Sequence, residues 1–194
     1  MTTTLDDLAG PGPQPEQDAR TRVLETAYRL FYRDGLRATG IDRIIAESGV
    51  AKMSFYRHFP SKQALVDACL ALRHERWNGW LEDSLRDAPD ARAWLAALPD
   101  ALEGWFRSPW FRGCAFINCH AEAGADAPPM AVAHVRALAA RLEQRCRDAG
   151  LTRPEVRATE LMLVVEGAIV RAQMAGADAA MPPLRGLFAR VLAD

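Results

Sequence analysis

Residues 39–62 constrain the fold more strongly than any other part of the 194-residue chain. They begin with a short helix whose apolar residues share one face, namely Ile41, Ile44 and Ile45. Gly49 then permits a sharp turn, because glycine tolerates positive φ without a Cβ clash. A second helix is predicted over residues 52–59, where Phe55 and Phe59 lie one turn apart and both face inward. The pattern predicts a helix-turn-helix that places one short helix in the major groove of DNA.

The side chains outside this apolar contact suit a DNA surface. Cations and hydroxyl groups bind phosphate oxygens, and Arg, Ser and His bind base edges. The outward set is Lys52, Met53, Ser54, Tyr56, Arg57 and His58. Thr39 is predicted to cap the first helix and to join the DNA-contacting residues, and Ser61 is predicted to cap the helix that follows. The alternative is a helical hairpin whose outer face is only solvated.

The residues from Val50 to Leu65 strongly resemble the signature of the TetR/AcrR family of bacterial one-component regulators. They read Val-Ala-Lys-Met-Ser-Phe-Tyr-Arg-His-Phe-Pro-Ser-Lys-Gln-Ala-Leu. The usual form in the family is close to Val-Ser-Lys-Gly-Thr-Leu-Tyr-His-His-Phe-Pro-Ser-Lys-Glu-Ala-Leu. The similarity extends back through residues 27–35, and it is far more specific than a bare helix-turn-helix pattern.

The resemblance implies an all-helical homodimer that binds palindromic operators and releases them when a small ligand binds. By position, it implies phosphate contacts from Lys52, Tyr56 and Lys62. The groove-facing residues that it implies are Met53, Ser54, Arg57 and His58. Two residues depart from the family pattern: Met53 replaces a usual glycine, and Gly40 stands where a hydroxyl residue is frequent. Met53 therefore brings a bulky apolar group to the groove, where a thymine methyl is one possible neighbour.

The apolar periodicity predicts an all-α fold in three parts. Residues 1–17 are rich in proline and lack an apolar stripe, so they are predicted to be a flexible arm. Residues 18–62 are predicted to form the helix-turn-helix DNA-binding domain. Residues 63–194 are predicted to form a helical ligand-binding and dimerisation domain. Its last two helices, the second of them after Pro182 and Pro183, are predicted to build the homodimer interface, as they do in the family.

Charge is distributed unevenly, although the formal net charge of the chain is only −1. Between Arg20 and Lys62 there are seven arginines, two lysines and four acidic residues, so this part carries +5 and the remainder −6. The chain has no other lysines, and both flank the predicted groove helix. A basic module joined to an acidic body is typical of a DNA-binding protein.

Aromatic residues crowd the middle of the chain, since all five tryptophans lie within residues 77–110. Such crowding suits a pocket for a flat, apolar ligand, and it equally suits a core or a dimer face. Residues 112–122 also resemble a Gly-Cys-x-x-x-Asn-x-x-x-Glu pattern from one branch of the family, which would place Cys114, Asn118 and Glu122 on one helix face. The predicted pocket residues are Trp80, Trp105, Phe116, Asn118, His120 and Glu166. For Glu166, an exposed edge position is the alternative.

No cofactor, metal site or catalytic constellation is predicted, so the chain is not expected to be an enzyme. A redox- or metal-responsive regulator acting through Cys114, Cys119 and His120 is one alternative. A helical small-molecule-binding protein without operator binding is another. The sequence has no long apolar span and no basic-then-apolar signal at its N-terminus, and it has four cysteines. These features predict a cytoplasmic protein with free thiols.

Overall fold

The computed structural model describes residues 2–193, and this range is built from helices without any strand. The prediction of an all-α fold is confirmed. The α-helices are α1 (Leu5–Ala9), α2 (Ala19–Asp34), α3 (Ile41–Ser48), α4 (Lys52–His58), α5 (Lys62–Ser84), α6 (Ala91–Phe106), α7 (Ala115–Ala123), α8 (Pro129–Asp148), α9 (Pro154–Ala175) and α10 (Ala177–Leu192). A short 3-10 helix, Gly124–Asp126, follows α7. Across residues 2–193, no helix has both the length and the apolar character needed to cross a bilayer.

The helices group into two compact units. The first contains residues 2–80 with 115–132, and the second contains residues 81–114 with 133–193. The sequence instead placed the boundary between residues 62 and 63. The difference arises because α5, which begins at Lys62, lies in the first unit as far as residue 80, and because α7 returns to the first unit.

The first unit contains the predicted helix-turn-helix. Asp18 caps α2 by accepting a hydrogen bond from the Thr21 backbone amide over 2.9 Å. Gly35 is the C-cap of α2, and Gly49, with φ 62° and ψ 29°, is the C-cap of α3. A left-handed residue at this point reverses the chain within a few residues, and glycine adopts it without a steric penalty. The core under the three helices is apolar and includes Val23, Ala27, Leu30, Phe31, Ile44, Phe55 and Phe59.

The N-terminal segment differs from the flexible arm that the sequence predicted over residues 1–17. Thr4 is the N-cap of α1, and it forms a capping box with Asp7. In this box the Asp7 carboxylate accepts a hydrogen bond from the Thr4 backbone amide over 2.7 Å. Leu8 is completely buried. The Tyr28 hydroxyl donates to the Leu8 carbonyl oxygen over 3.0 Å, and the Arg73 guanidinium donates to the same oxygen. One buried leucine and these long-range hydrogen bonds therefore order a segment that has no apolar periodicity.

The second unit packs α10 against α6 and α9. Arg185 of α10 forms ion pairs with Asp100 and Glu103 of α6. α10 begins at Ala177, so it starts before Pro182 and Pro183, where the sequence placed its beginning.

The early start of α10 depends on an arginine from the preceding helix. Pro183 has no N–H and so cannot donate to the carbonyl oxygen of Ala179, four residues earlier. The Arg171 Nε of α9 donates to that oxygen over 2.7 Å. The side chain thus replaces a missing backbone hydrogen bond, and the helix continues through the prolines.

Candidate nucleic-acid interface

The second helix of the helix-turn-helix is held in place by two aromatic anchors. Phe55 and Phe59 are buried, with ring centroids 6.3 Å apart, and their spacing of four residues fixes which face of α4 points inward. The Arg20 guanidinium lies 5.4 Å from the centre of the Phe59 ring. Together these contacts set the rotation of α4 about its axis, and this rotation decides which side chains face solvent.

The turn between α3 and α4 has a support that the sequence reasoning missed. Arg22 of α2 donates a hydrogen bond from Nη2 to the Gly49 carbonyl oxygen over 3.2 Å. The partners are 27 residues apart, so no local pattern could have paired them. α3 is tied to α2 in a similar way, because Arg43 pairs with Asp34 over 2.8 Å and Arg29 pairs with Glu47 over 3.3 Å. Hydrogen bonds and charge from Arg33, and then from Arg43, lower the pKa of Asp34 to about 2, while desolvation opposes this shift.

Most of the predicted DNA-contacting residues lie together on the outer face of α4. Met53 is 88% exposed, and Lys52, Tyr56 and Arg57 are also exposed. Ser54 and His58 are half-buried. The surface so formed combines two cations, hydroxyl groups and one apolar side chain within two turns of helix. These groups can bind phosphate oxygens and the major-groove edges of bases.

Two polar contacts organise this face. The Lys52 ammonium lies 3.4 Å from a carboxylate oxygen of Asp42, and both side chains are largely exposed. The Arg57 guanidinium donates from Nη2 to the Ser54 hydroxyl oxygen over 3.1 Å. An exposed ion pair contributes little to stability, so Lys52 can exchange its partner for a phosphate at small cost.

Thr39 does not belong to this surface, which corrects its predicted place among the DNA contacts. Its side chain is fully buried, and its hydroxyl donates to the Gly35 carbonyl oxygen over 2.8 Å. Gly40, and not Thr39, is the N-cap of α3. The last carbonyl groups of a helix have no N–H donor within that helix, so the hydroxyl can donate to one at the end of α2.

Lys62, whose role as a phosphate contact stays a prediction, makes contacts within the chain in this structure. Its ammonium donates to the Leu36 carbonyl oxygen and lies 5.9 Å from the centre of the Phe31 ring. The side chain is half-buried. Lys62 therefore joins the start of α5 to the loop after α2. Ser61 caps α5 as predicted, since its hydroxyl oxygen accepts from the Ala64 backbone amide over 3.1 Å.

The predicted pocket residues are divided between the two units. In the first unit, Trp80 and Phe116 are buried, Asn118 is half-buried and His120 is exposed. In the second, Trp105 is buried and packs edge-on against Phe111 with 5.1 Å between ring centroids. Glu166 is half-buried, and burial raises the pKa of its carboxyl above the ordinary value. The pocket they were expected to form remains a prediction.

A cleft in the first unit involves Glu122, which the sequence had placed on the polar edge of the ligand pocket. The Glu122 carboxylate accepts from the Arg37 backbone amide over 3.1 Å. Gly35 has φ 92°, a conformation that favours glycine, and a Cβ there would lie 3.0 Å from the same carboxylate. The cleft has a volume of about 260 Å³ and is lined by Leu36, Arg37, Lys62, Gln63, Val66, Glu122, Ala123, Asp126 and Pro128.

The cysteines are poorly suited to sensing by thiolate chemistry. Cys69, Cys114, Cys119 and Cys146 are all buried, and none of them forms a disulfide. Burial, with smaller effects from Glu122 and Asp67, raises the pKa of Cys119 to about 11. A thiol with such a pKa is protonated near neutral pH and is a weak nucleophile. In the part of the chain that the structure describes, no three His, Cys, Asp or Glu side chains are grouped as metal ligands would be.

Comparison with known proteins places the N-terminal helices in a known group. A family model described as "Bacterial regulatory proteins, tetR family" matches residues 23–69, which run from α2 into α5. The HTH-type transcriptional repressor KstR2 of Rhodococcus jostii (strain RHA1) is 35% identical over 93 residues, covering 48% of this chain and 43% of that protein. The uncharacterised HTH-type regulator YerO of Bacillus subtilis (strain 168) is 43% identical over 53 residues, covering 27% of this chain and 18% of that protein. The matches thus span less than half the length of these curated relatives.

Structural similarity extends over most of the chain. The crystal structure of SCO4454, a TetR-family transcriptional regulator from Streptomyces coelicolor, superposes with a TM-score of 0.84 at 29% sequence identity. The alignment covers 90% of this chain and 94% of that one. The likeness therefore extends beyond residues 23–69 to the C-terminal helices.

Proposed function

Because the chain belongs to the TetR/AcrR family of bacterial transcriptional regulators, we propose that it is a ligand-responsive repressor that binds palindromic operator DNA as a homodimer. A small-molecule effector, not yet identified, would release it from the operator. The proposed place of action is the cytoplasm, where the operator and the effector are both accessible.

The observation that carries this proposal is the outer face of α4. The inward rotation of Phe55 and Phe59 leaves Lys52, Met53 and Arg57 pointing away from the core. Phosphate contacts would fix the register of the protein on the duplex and make its affinity depend on salt. Base-edge contacts from α4 would select the half-site.

The homodimer is proposed from an apolar stripe on α9. Val156, Leu163, Val170 and Met174 recur at intervals of seven, seven and four residues, so they share one helix face, and all four are exposed. Leu163 and Met174 are 65% and 83% exposed. Gly167 lies within the stripe, and a Cβ added there would meet nothing within 4 Å. An exposed apolar stripe with a small residue at its centre fits a closely packed, self-complementary helix pair.

Release by an effector is proposed by analogy with the family. α5 begins just after α4, at Lys62, and extends to Ser84. A ligand that tilted this helix would change the separation of the two α4 helices in the dimer. Trp80, Trp105, Phe116, Asn118, His120 and Glu166 are the residues first tested for effector binding.

The experiment is selection of binding sites from random duplex DNA, followed by titration of the enriched sequence at two salt concentrations by fluorescence anisotropy. An inverted repeat is expected, with affinity falling about 10³-fold or more between 50 and 200 mM salt if six or more phosphates are contacted. Arg57→Ala should lose selective binding. Arg136→Ala, which changes an exposed arginine of α8, should bind as the wild type does.

Two results would contradict the proposal. Folded, dimeric protein that enriches no sequence would leave α4 as a scaffold and favour a small-molecule-binding protein. Operator affinity that changes on addition of a chelator or a thiol reagent would favour the redox or metal alternative.

A further inference from the structure

The side chain of Met53 is unusually exposed to solvent for an apolar residue. At 88% exposure it is more exposed than any other large apolar side chain in residues 2–193. It has no packing role in the monomer, and it follows the N-terminal residue of α4, where a recognition helix contacts base edges. An apolar group this exposed usually has a partner that covers it.

The neighbours of Met53 indicate what kind of partner that is. Lys52 precedes it, and Arg57 follows four residues later on the same helix face. The core of a protein–protein interface is depleted of charged residues, whereas a nucleic-acid surface requires cations. The partner chemistry that fits is thus a polyanion with a local apolar group. In the DNA major groove, the apolar group presented by a base is the 5-methyl of thymine.

Building on the proposed function, we propose that Met53 selects a thymine and Arg57 selects a guanine close to it in each operator half-site. Arg57 is already partly fixed, because one guanidinium N–H donates to the Ser54 hydroxyl oxygen over 3.1 Å. Its remaining donors keep the fork that matches the O6 and N7 acceptors of guanine. Ser54 acts as a positioning residue, since it limits the directions in which the fork can point.

The helix geometry limits the distance between the two bases. Met53 and Arg57 are four residues apart, which is about 6 Å along a helix axis at 1.5 Å per residue. Base pairs are stacked about 3.4 Å apart, so the backbone positions of the two side chains are separated by about two base-pair steps. A half-site should therefore contain thymine and guanine within about two base pairs of each other.

The test uses the operator obtained by selection and replaces each thymine in turn with deoxyuridine, which removes only the methyl group. For the wild-type protein, one replacement per half-site should weaken binding about three- to fivefold, the effect of one buried methyl group. Met53→Ala should bind the thymine and uracil duplexes equally at that position. Val132→Ala, which shortens an exposed valine on α8, should keep the wild-type discrimination.

Guanine readout is tested in the same way with 7-deazaguanine, which removes the N7 acceptor. A loss of about tenfold is expected at one guanine for the wild type, and Arg57→Ala should be insensitive to that change. The proposal is overturned if uracil is tolerated at every thymine, if Met53→Ala still discriminates, or if the two sensitive bases lie more than two steps apart. Absence of any operator binding by the wild type would instead overturn the proposed function itself.

Discussion

The guanidinium of Arg73 on α5 donates a hydrogen bond to the backbone carbonyl oxygen of Leu8, 65 residues earlier. Arg73 is buried, and it also donates to the Tyr28 hydroxyl oxygen over 2.9 Å and lies 3.9 Å from the centre of the Tyr32 ring. A buried cation is costly unless acceptors and aromatic faces surround it. The N-terminal segment supplies one of these acceptors and is therefore an integral part of the first unit.

Leu8→Ala tests this contact. The substitution should lower the free energy of unfolding by about 1–3 kcal/mol, because it leaves a cavity under α1 and weakens the docking of that helix. Chemical denaturation measures the loss, and hydrogen exchange over Leu5–Ala9 should become faster. Leu5→Ala, at a half-buried position of the same helix, should cost less. A flexible arm would show no change for either substitution.

Lys62→Met should destabilise the protein by about 1 kcal/mol, since it removes the hydrogen bond to the Leu36 carbonyl oxygen and the contact with the Phe31 ring. The same substitution at Lys52 is the control. Its ion pair with Asp42 is exposed, so its stability should change by less than about 0.5 kcal/mol. Urea denaturation of the two variants distinguishes the roles. Equal losses in the free energy of unfolding would show that the contacts of Lys62 stabilise the fold no more than the exposed ion pair of Lys52 does.

Leu163→Glu should convert the proposed dimer into a monomer of 21.4 kDa, because a carboxylate would be buried at the centre of the α9 stripe. Size-exclusion chromatography with light scattering measures the mass. The control is Val132→Glu, which places the same charge on an exposed valine at the start of α8. If both variants keep the wild-type mass, the α9 face is not the interface.

Glu166→Gln should change how stability depends on pH. Burial raises the pKa of the folded carboxyl above 4.5, so the wild type loses stability as the pH rises from 4.5 through the raised value. Glutamine does not titrate. The variant should therefore gain melting temperature over the wild type at pH 8, and this gain should shrink at pH 4. An equal difference in melting temperature between variant and wild type at the two pH values would contradict this expectation.

Thiol reagents should react slowly with the folded protein. Cys119 is buried and its pKa is about 11, so little thiolate is present at pH 7.5. Titration with Ellman's reagent should detect few thiols under native conditions and four after unfolding. Operator affinity should be the same before and after native treatment. Rapid labelling accompanied by loss of operator binding would restore the redox alternative.

The parts of the fold that were predictable from the sequence depend on near neighbours in the chain. The four-residue spacing of Phe55 and Phe59 gave the inward face of α4, and Gly49 gave the turn before it. Both are local rules that hold wherever the segment lies. The resemblance of residues 50–65 to one family then connected these local elements to a complete fold.

The parts that were not predictable depend on residues far away in the chain. Thr39 was predicted to cap α3, but its hydroxyl donates a hydrogen bond to the Gly35 carbonyl oxygen at the end of α2. Leu8 lies in a segment without periodicity, and its order comes from Tyr28 and Arg73. α10 passes Pro183 because Arg171 supplies the missing donor. In each case a tertiary contact decided the outcome, and no short-range pattern contains that information.

The ion pair between Lys52 and Asp42 also bears on how the proposed operator complex would form. Asp42 acts as a counterion, so the lysine proposed to contact phosphate is already partly neutralised in the free protein. A phosphate of the proposed operator would take the place of this carboxylate, and the exchange would cost little because both side chains are largely exposed. Asp42 would therefore weaken chance binding to any stretch of DNA only slightly, and base contacts would decide where the protein stays.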